Sequence, residues 1–299
     1  MPEDVTFLPS SEVLSFEEIE RVVRLLVEMG ISRVRLTGGE PLVRRDLWRL
    51  VESLKAIDGL DDLAMTTNGI LLEQHASQLK KAGLDRLNIS LDTLDRERFK
   101  HLTRRDDLDR ALAGINAAKE AGFEKTRINA VSIAGLTEED IVPLTKFCRE
   151  QRLDLRFIEF MPLDGDENWQ SGNVLCGDDI RQIVETEVGP LRPARRNYEA
   201  QPAVDYEFVD GGGNIGFIDP VSKPFCQSCD RLRLTAEGKL RNCLFSMTEY
   251  DLRSVIRSGD SDAEIETLVR ECVAAKKAGH GIDSSEFERP QRAMYQIGG

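Results

Sequence analysis

Between Ser15 and Phe160 the chain repeats one pattern, an amphipathic helical stretch followed by a short apolar run, and that alternation restricts it to a parallel sheet with helical crossovers. SFEEIERVVRLLVEMG opens with the Ser15/Glu18 spacing of a capping box and sets Ile19, Val22, Val23, Leu26 and Val27 on one face until Gly30 ends it. The strand ISRVRL follows. Helix about 45–57, strand 62–67, helix about 72–82, strand 85–90, helices about 95–103 and 107–121, strand 125–133, helix about 137–151 and strand 154–160 complete five strands. The strands end in small or polar clusters (TGGEP, TTNG, SLDT, FMPLDG), and ligands collect at the carboxyl ends of parallel strands. A three-glycine dinucleotide fingerprint is absent after the first strand, which favours a partial barrel over a doubly wound sheet. The pattern starts on a helix, so a further strand is expected upstream.

From about Pro190 the texture changes, which predicts a division into a barrel region, 1–188, and a C-terminal α+β region, 189–299. PLRPARRNYEAQP reads as a linker or irregular loop. VDYEFV and IGFID flank a glycine-rich turn as a hairpin, and RLRLTAEGKLRNCLF reads as a second hairpin turning at Glu237-Gly238. Helices are expected at about 248–258 and 261–277, followed by a polar, glycine-terminated end.

Charge then narrows the function classes. With 40 basic against 53 acidic residues the net charge is −13, so the surface as a whole repels nucleic acid and anionic membrane, and a polyanionic ligand needs a local arginine cluster. No apolar run approaches the ~18 residues of a membrane span, and the start MPEDVTFLPS has no secretory signature, so a cytoplasmic protein is expected.

Six cysteines are present, of which Cys226, Cys229 and Cys243 bunch together; in a reducing compartment such a bunch suggests metal. A C-x2-C turn with a third cysteine returning on a hairpin suits an iron–sulfur cluster with one open iron, or a zinc whose fourth ligand is Cys176 or Cys272 folding back. Chemistry alone leaves the two even. In TGGEP, two glycines allow close backbone approach and Glu40 supplies an acceptor; TTNG and Ser90 with Asp92 repeat exposed hydroxyls at strand ends. Arg33 and Arg35 share a strand face, as do Arg231 and Arg233, while Arg127 and Arg156 lie on two further strands. In an acidic protein, guanidinium groups near strand interiors suit phosphate better than they suit salt-bridged surface.

LTGGEPLVRRDL, TTNG, LNISLDT, RFIEFMP, the C-x2-C-x13-C hairpin with RLR, and the terminal GG, in this order, resemble the radical-SAM GTP 3',8-cyclases of molybdenum cofactor biosynthesis over essentially the whole chain. The resemblance implies a partial (β/α)6 TIM-type barrel whose first strand is missing here, plus the C-terminal α+β region carrying an iron–sulfur site. It implies two [4Fe–4S] clusters, one held by an N-terminal C-x3-C-x2-C that cleaves S-adenosylmethionine, and one on Cys226, Cys229 and Cys243 whose open iron receives the guanine of GTP. Gly39, Thr66, Ser90 and Met161 would then hold S-adenosylmethionine, and Arg33, Arg35, Arg127, Arg156, Arg231 and Arg233 the GTP phosphates and ribose. Arg33 and Arg127 stand where the family usually has lysine, which keeps charge but changes geometry. Gly298 and Gly299 match a tail that enters the family's active site. The implied partners are GTP, S-adenosylmethionine, an electron donor and a downstream cyclic pyranopterin monophosphate synthase, with a homodimer as an option and no nucleic acid or membrane.

The departure is at the start: the family's third N-terminal cysteine is followed by Met-Pro, and Met1-Pro2 open this sequence. Without those cysteines the chain itself is expected to be catalytically inactive. The alternative reading is a noncatalytic protein that binds GTP and an iron–sulfur cluster or zinc.

Overall fold

A computed structural model describes residues 8–163, 168–196, 198–259, 261–282, 284 and 287–298. In chain order the helices are α1 (Phe16–Glu28), α2 (Leu47–Lys55), α3 (Leu72–Lys81), α4 (Arg96–Thr103), α5 (Leu108–Glu120), α6 (Glu138–Gln151), α7 (Gly177–Glu187), α8 (Leu252–Arg257), α9 (Asp262–Ala274) and α10 (Met294–Ile297). The strands are β1 (Arg33–Leu36), β2 (Asp62–Thr67), β3 (Arg86–Ser90), β4 (Arg127–Ser132), β5 (Asp154–Glu159), β6 (Leu191–Pro193), β7 (Val204–Phe208), β8 (Asn214–Ile218), β9 (Arg233–Leu234), β10 (Lys239–Arg241) and β11 (Tyr250–Asp251). The alternation read from the sequence up to Phe160 is present, and the fold is a mixed α/β one of the partial-barrel class.

The chain forms two compact units: Met1–Thr66 with Gln78–Asp85 and Asp230–Gly299, and Thr67–Ser77 with Arg86–Cys229. In the first, β1 pairs with β2 in parallel, and β10 pairs antiparallel with both β9 and β11. The α1 cap forms as its spacing predicts: Glu18 N donates to Ser15 Oγ at 3.1 Å and Ser15 N to Glu18 Oε2 at 2.7 Å. Val22, Leu25 and Leu26 from its apolar face pack with Leu240, Leu252, Ile265, Val269 and Cys272 into one core.

In the second unit β3, β4 and β5 run parallel, and β8 continues the parallel ladder on the far side of β5. The β7–β8 pair is the antiparallel hairpin expected, with Asp205 opposite Gly216. Four elements differ from the sequence reading. PLRPARR is not wholly irregular, because Leu191–Pro193 forms β6 against β7; at the edge of the sheet the missing proline N–H costs no ladder bond. The helix expected from 248 starts at Leu252, since Tyr250 and Asp251 pair with β10 and the Asp251 carboxylate then accepts from Ser254 N at 3.2 Å. The C-terminal stretch read as merely polar holds α10, which buries Ile297. Helix α7, buried through Ile180 and Val184, had no counterpart in that reading.

Candidate functional site

The register of the second unit places polar residues on one sheet face. Asn88 lies opposite Arg127, Ser90 opposite Asn129, and Asn129 opposite Arg156. Strand alternation then adds Arg86 at the start of β3 to the same face. Burial, and after it Arg156 and Arg86, pull the Arg127 guanidinium below its ordinary pKa, while Asp154 and Asp205 act in the opposite direction. Arg127 Nε lies 3.5 Å from Asp154 Oδ2. Arg156, only 8% exposed, donates to Asp205 Oδ2 at 3.2 Å, and Gln201 holds the same oxygen at 2.7 Å. Arg86, Arg127 and Arg156 thus share one sheet face with the Asp154 and Asp205 carboxylates, and guanidinium forks grouped in this way suit an anion. A Cβ on Gly216 would lie 2.3 Å from Asp205 Oδ1, so glycine alone leaves room for the Arg156–Asp205 pair. Sequence reasoning found Arg127 and Arg156 but missed Arg86, Asn88 and Asn129, which share no motif and are united only by register.

Strand ends in the first unit carry Gly39 and Thr66. Gly38 takes φ +152° and Gly39 is exposed, and the Glu40 carboxylate accepts from Leu42 N at 3.0 Å through Oε1, which caps the turn at Pro41–Val43. Arg33 and Arg35 are exposed and alternate, and the register opposite Asp62 and Ala64 gives them the face that also carries Thr66. Gly298, at φ +86°, sits so close to the turn that an added Cβ would be 2.7 Å from Thr37 Oγ1. Gly299 lies outside the described residues.

In the second unit Ser90 is exposed at the last position of β3 and Met161 is half-buried after β5, its carbonyl accepting from Leu163 N at 2.7 Å. Asp92 Oδ1 accepts from Val131 N at 2.8 Å, which extends the β3–β4 contact past the ladder. Burial pushes the Asp92 carboxyl up to about 6, with a smaller push from Asp140.

Cys226 and Cys229 bracket a tight turn closed by Cys229 N donating to Cys226 O at 3.2 Å, and both are half-buried. Half-buried Cys243 follows β10 in the other unit. There Lys276 Nζ donates to the carbonyls of Arg231 at 2.9 Å and Asn242 at 2.6 Å, and Asn242 Nδ2 donates to Cys272 O at 2.8 Å. The segments carrying Arg231 and Cys243 are so fastened together, and Arg233 pairs opposite Arg241 across β9–β10. The remaining thiols have other environments. Burial raises Cys148 to about 12 and Cys272 to about 11, and Cys176 donates to Asp179 Oδ2 at 3.0 Å with its pKa raised by burial and by that carboxylate. Cys176 and Cys272, the fourth zinc ligands considered from the sequence, are thus protonated in the metal-free protein, and a bound ion would itself have to displace that proton. Among the described residues no group of three or more His, Cys, Asp or Glu is gathered as a metal site. The fit of Cys226, Cys229 and Cys243 to an iron–sulfur cluster is therefore one of donor chemistry and partial exposure, not of closed geometry.

Residues 3–148 match the radical SAM superfamily model and residues 153–282 the Molybdenum Cofactor Synthesis C model. A GTP 3',8-cyclase of Rhodopirellula baltica is 51% identical over 303 residues, covering 100% of this chain and 84% of its own. The chain belongs to the GTP 3',8-cyclase family. The enzymes of that name from Pelotomaculum thermopropionicum and Corynebacterium glutamicum are 42% and 44% identical, with 92% and 81% of their lengths covered. Among solved structures, methylornithine synthase is similar in fold, with TM-score 0.52 and 20% identity over 85% of this chain and 76% of that one. No helix among the described residues is long and apolar enough to cross a membrane.

Proposed function

We propose that this chain is a radical-SAM GTP 3',8-cyclase of molybdenum cofactor biosynthesis, converting GTP to 3',8-cyclo-7,8-dihydroguanosine triphosphate. The observation that carries the reading is identity of 51% and 42%, over the whole of this chain, to proteins bearing that name, joined to a sheet face that carries Arg86, Arg127 and Arg156. When bound, S-adenosylmethionine and its cluster supply the radical chemistry. The protein's own part is to bind, orient and exclude water. Arg127 and Arg156, with Arg86 beside them and with Arg33, Arg35, Arg231 and Arg233, clamp phosphate and ribose, which fixes the reacting carbon against the base. Gly39, Thr66, Ser90 and Met161 hold S-adenosylmethionine, and Gly298, with Gly299 after it in sequence, belongs to the tail assigned to the active site. Cys226, Cys229 and Cys243 would hold a second [4Fe–4S] cluster, which would supply an open iron site for guanine. An electron donor feeds the reaction, and a cyclic pyranopterin monophosphate synthase consumes its product.

The 299 residues contain no C-x3-C-x2-C. Protein made of these residues alone is therefore expected to bind GTP without cyclising it, and the same residues preceded by such a segment to do both. Anaerobic reconstitution followed by chromatography of the GTP product tests the reading. Cyclisation by residues 1–299 alone would refute the role given to the absent cysteines, and no cyclisation by the extended chain would refute the activity.

A further inference from the structure

Glu159 is the last residue of β5 and is 2% exposed, so its carboxylate must be satisfied within the protein. Among the described residues, the three donors that reach it come from one loop. Oε2 accepts from Val221 N at 2.8 Å and Ser222 N at 3.0 Å, and Oε1 accepts from the Ser222 hydroxyl. Ser132, its register partner on β4, is equally buried, yet the Ser132 hydroxyl has no hydrogen-bond partner among the described residues. The carboxylate is thus committed to the loop rather than to the neighbouring strand.

The same loop is held from its other side. Gly177 N, at the start of α7, donates to Asp219 Oδ1 at 3.0 Å, Lys223 N donates to Asp219 O at 3.0 Å, and Lys223 Nζ donates to Asp178 Oδ2 at 2.5 Å. Only Pro224 and Phe225 then separate this anchored stretch from Cys226, and proline fixes one of the few remaining torsions. At the other end, Glu159 is two residues from Met161. One buried carboxylate therefore joins the strand end that leads to Met161 with the loop that leads to the Cys226–Cys229 turn.

We infer that Glu159 is a positioning residue for the C-terminal iron–sulfur cluster: it sets where the Cys226–Cys229 turn stands relative to the end of β5. The inference rests on the cluster assignment of the proposed function. Replacing Glu159 by glutamine keeps its size but turns one acceptor oxygen into an amide that cannot accept from the loop's N–H groups.

The test uses the 299-residue chain, its Glu159→Gln variant, and Asp140→Asn as a control for loss of a buried carboxylate elsewhere in the same unit. Each is reconstituted anaerobically with iron and sulfide, then assayed for iron content, for iron release to a chelator, for the EPR spectrum of the reduced cluster, and for thermal unfolding without metal. The expected result is about four irons in the parent chain, with iron release from Glu159→Gln at least tenfold faster, an altered EPR line shape, and parent-like behaviour of Asp140→Asn in both. Release and EPR unchanged in Glu159→Gln, or release that tracks lost thermal stability equally in both variants, overturns the positioning role and leaves the cluster standing. A parent chain that takes up no iron overturns the cluster assignment and this inference with it.

Discussion

Arg127 and Arg156 show how a binding residue differs from a stabilising one. Arg156 has Asp205 at 3.2 Å, whereas Arg127 has Asp154 at 3.5 Å and is opposed by burial and by two neighbouring guanidinium groups. Truncating Arg127 should therefore relieve repulsion in the free protein while removing a charged donor to phosphate. Arg127→Ala is expected to weaken GTP binding by about 1.5–3 kcal/mol, roughly ten- to a hundredfold, with thermal stability equal or higher; calorimetric titration and melting curves check the two halves separately. Two carboxyls give a pH signature. Burial raises Asp92 to about 6, and burial followed by Glu159 raises Asp219 to about 6, both from an ordinary 3.8. Between those values each binds more protons folded than unfolded, so the stability it contributes falls as pH rises through this range and does not return above it. Asp92→Asn, which keeps an acceptor for Val131 N, is expected to gain on the parent in Tm as pH goes from about 4.5 to about 7. A constant difference across that range would remove burial as the cause. Residue identity alone marked the arginines, but not Asp205 as counter-charge, because that pairing depends on a hairpin register 49 residues away.

At the scale of elements, strand ends and turns are held by contacts that leave little tolerance. A Cβ on Gly114 of α5 would lie 2.1 Å from the Gly69 carbonyl, and Gly69 itself is at φ +79° in the TTNG turn. Gly114→Ala should displace that turn and cost about 1–3 kcal/mol, read by urea unfolding, with S-adenosylmethionine affinity falling in parallel. Lys276 is the corresponding fastener near Cys243. Lys276→Met keeps much of the side-chain bulk and removes the donor to the Arg231 and Asn242 carbonyls. It is expected to lower reconstituted iron per chain, measured against sulfide, with little change in the helical circular dichroism of α9. Helices α1, α2, α5 and α6 were legible because each has an apolar stripe of the right period. Strands β6 and β11 were not: a proline hid the first, and both are two or three residues long, so that pairing to a neighbour, not local preference, decides them.

For the whole chain, the order of elements to Phe160 could be read from periodicity, and the arginine face could be read in part, because strand alternation is local in sequence. What sequence could not give was the parallel pairing of β5 with β8, which brings Gly216 beside Arg156 across 60 residues. The six cysteines also divide in a way their spacing only half revealed. Metal content should follow that division: the 299-residue chain is expected to hold about four irons, and a chain extended by C-x3-C-x2-C about eight, with iron and sulfide assays as the check. A value near eight in the shorter chain would require ligands that its sequence lacks. The burial of Cys148 and Cys272 has a practical consequence. A thiol-alkylating reagent applied to the native protein should spare those two whatever the metal state, since their thiolates are suppressed. Peptide-level labelling of Cys226, Cys229 and Cys243 then becomes an occupancy gauge with two internal standards inside the same molecule.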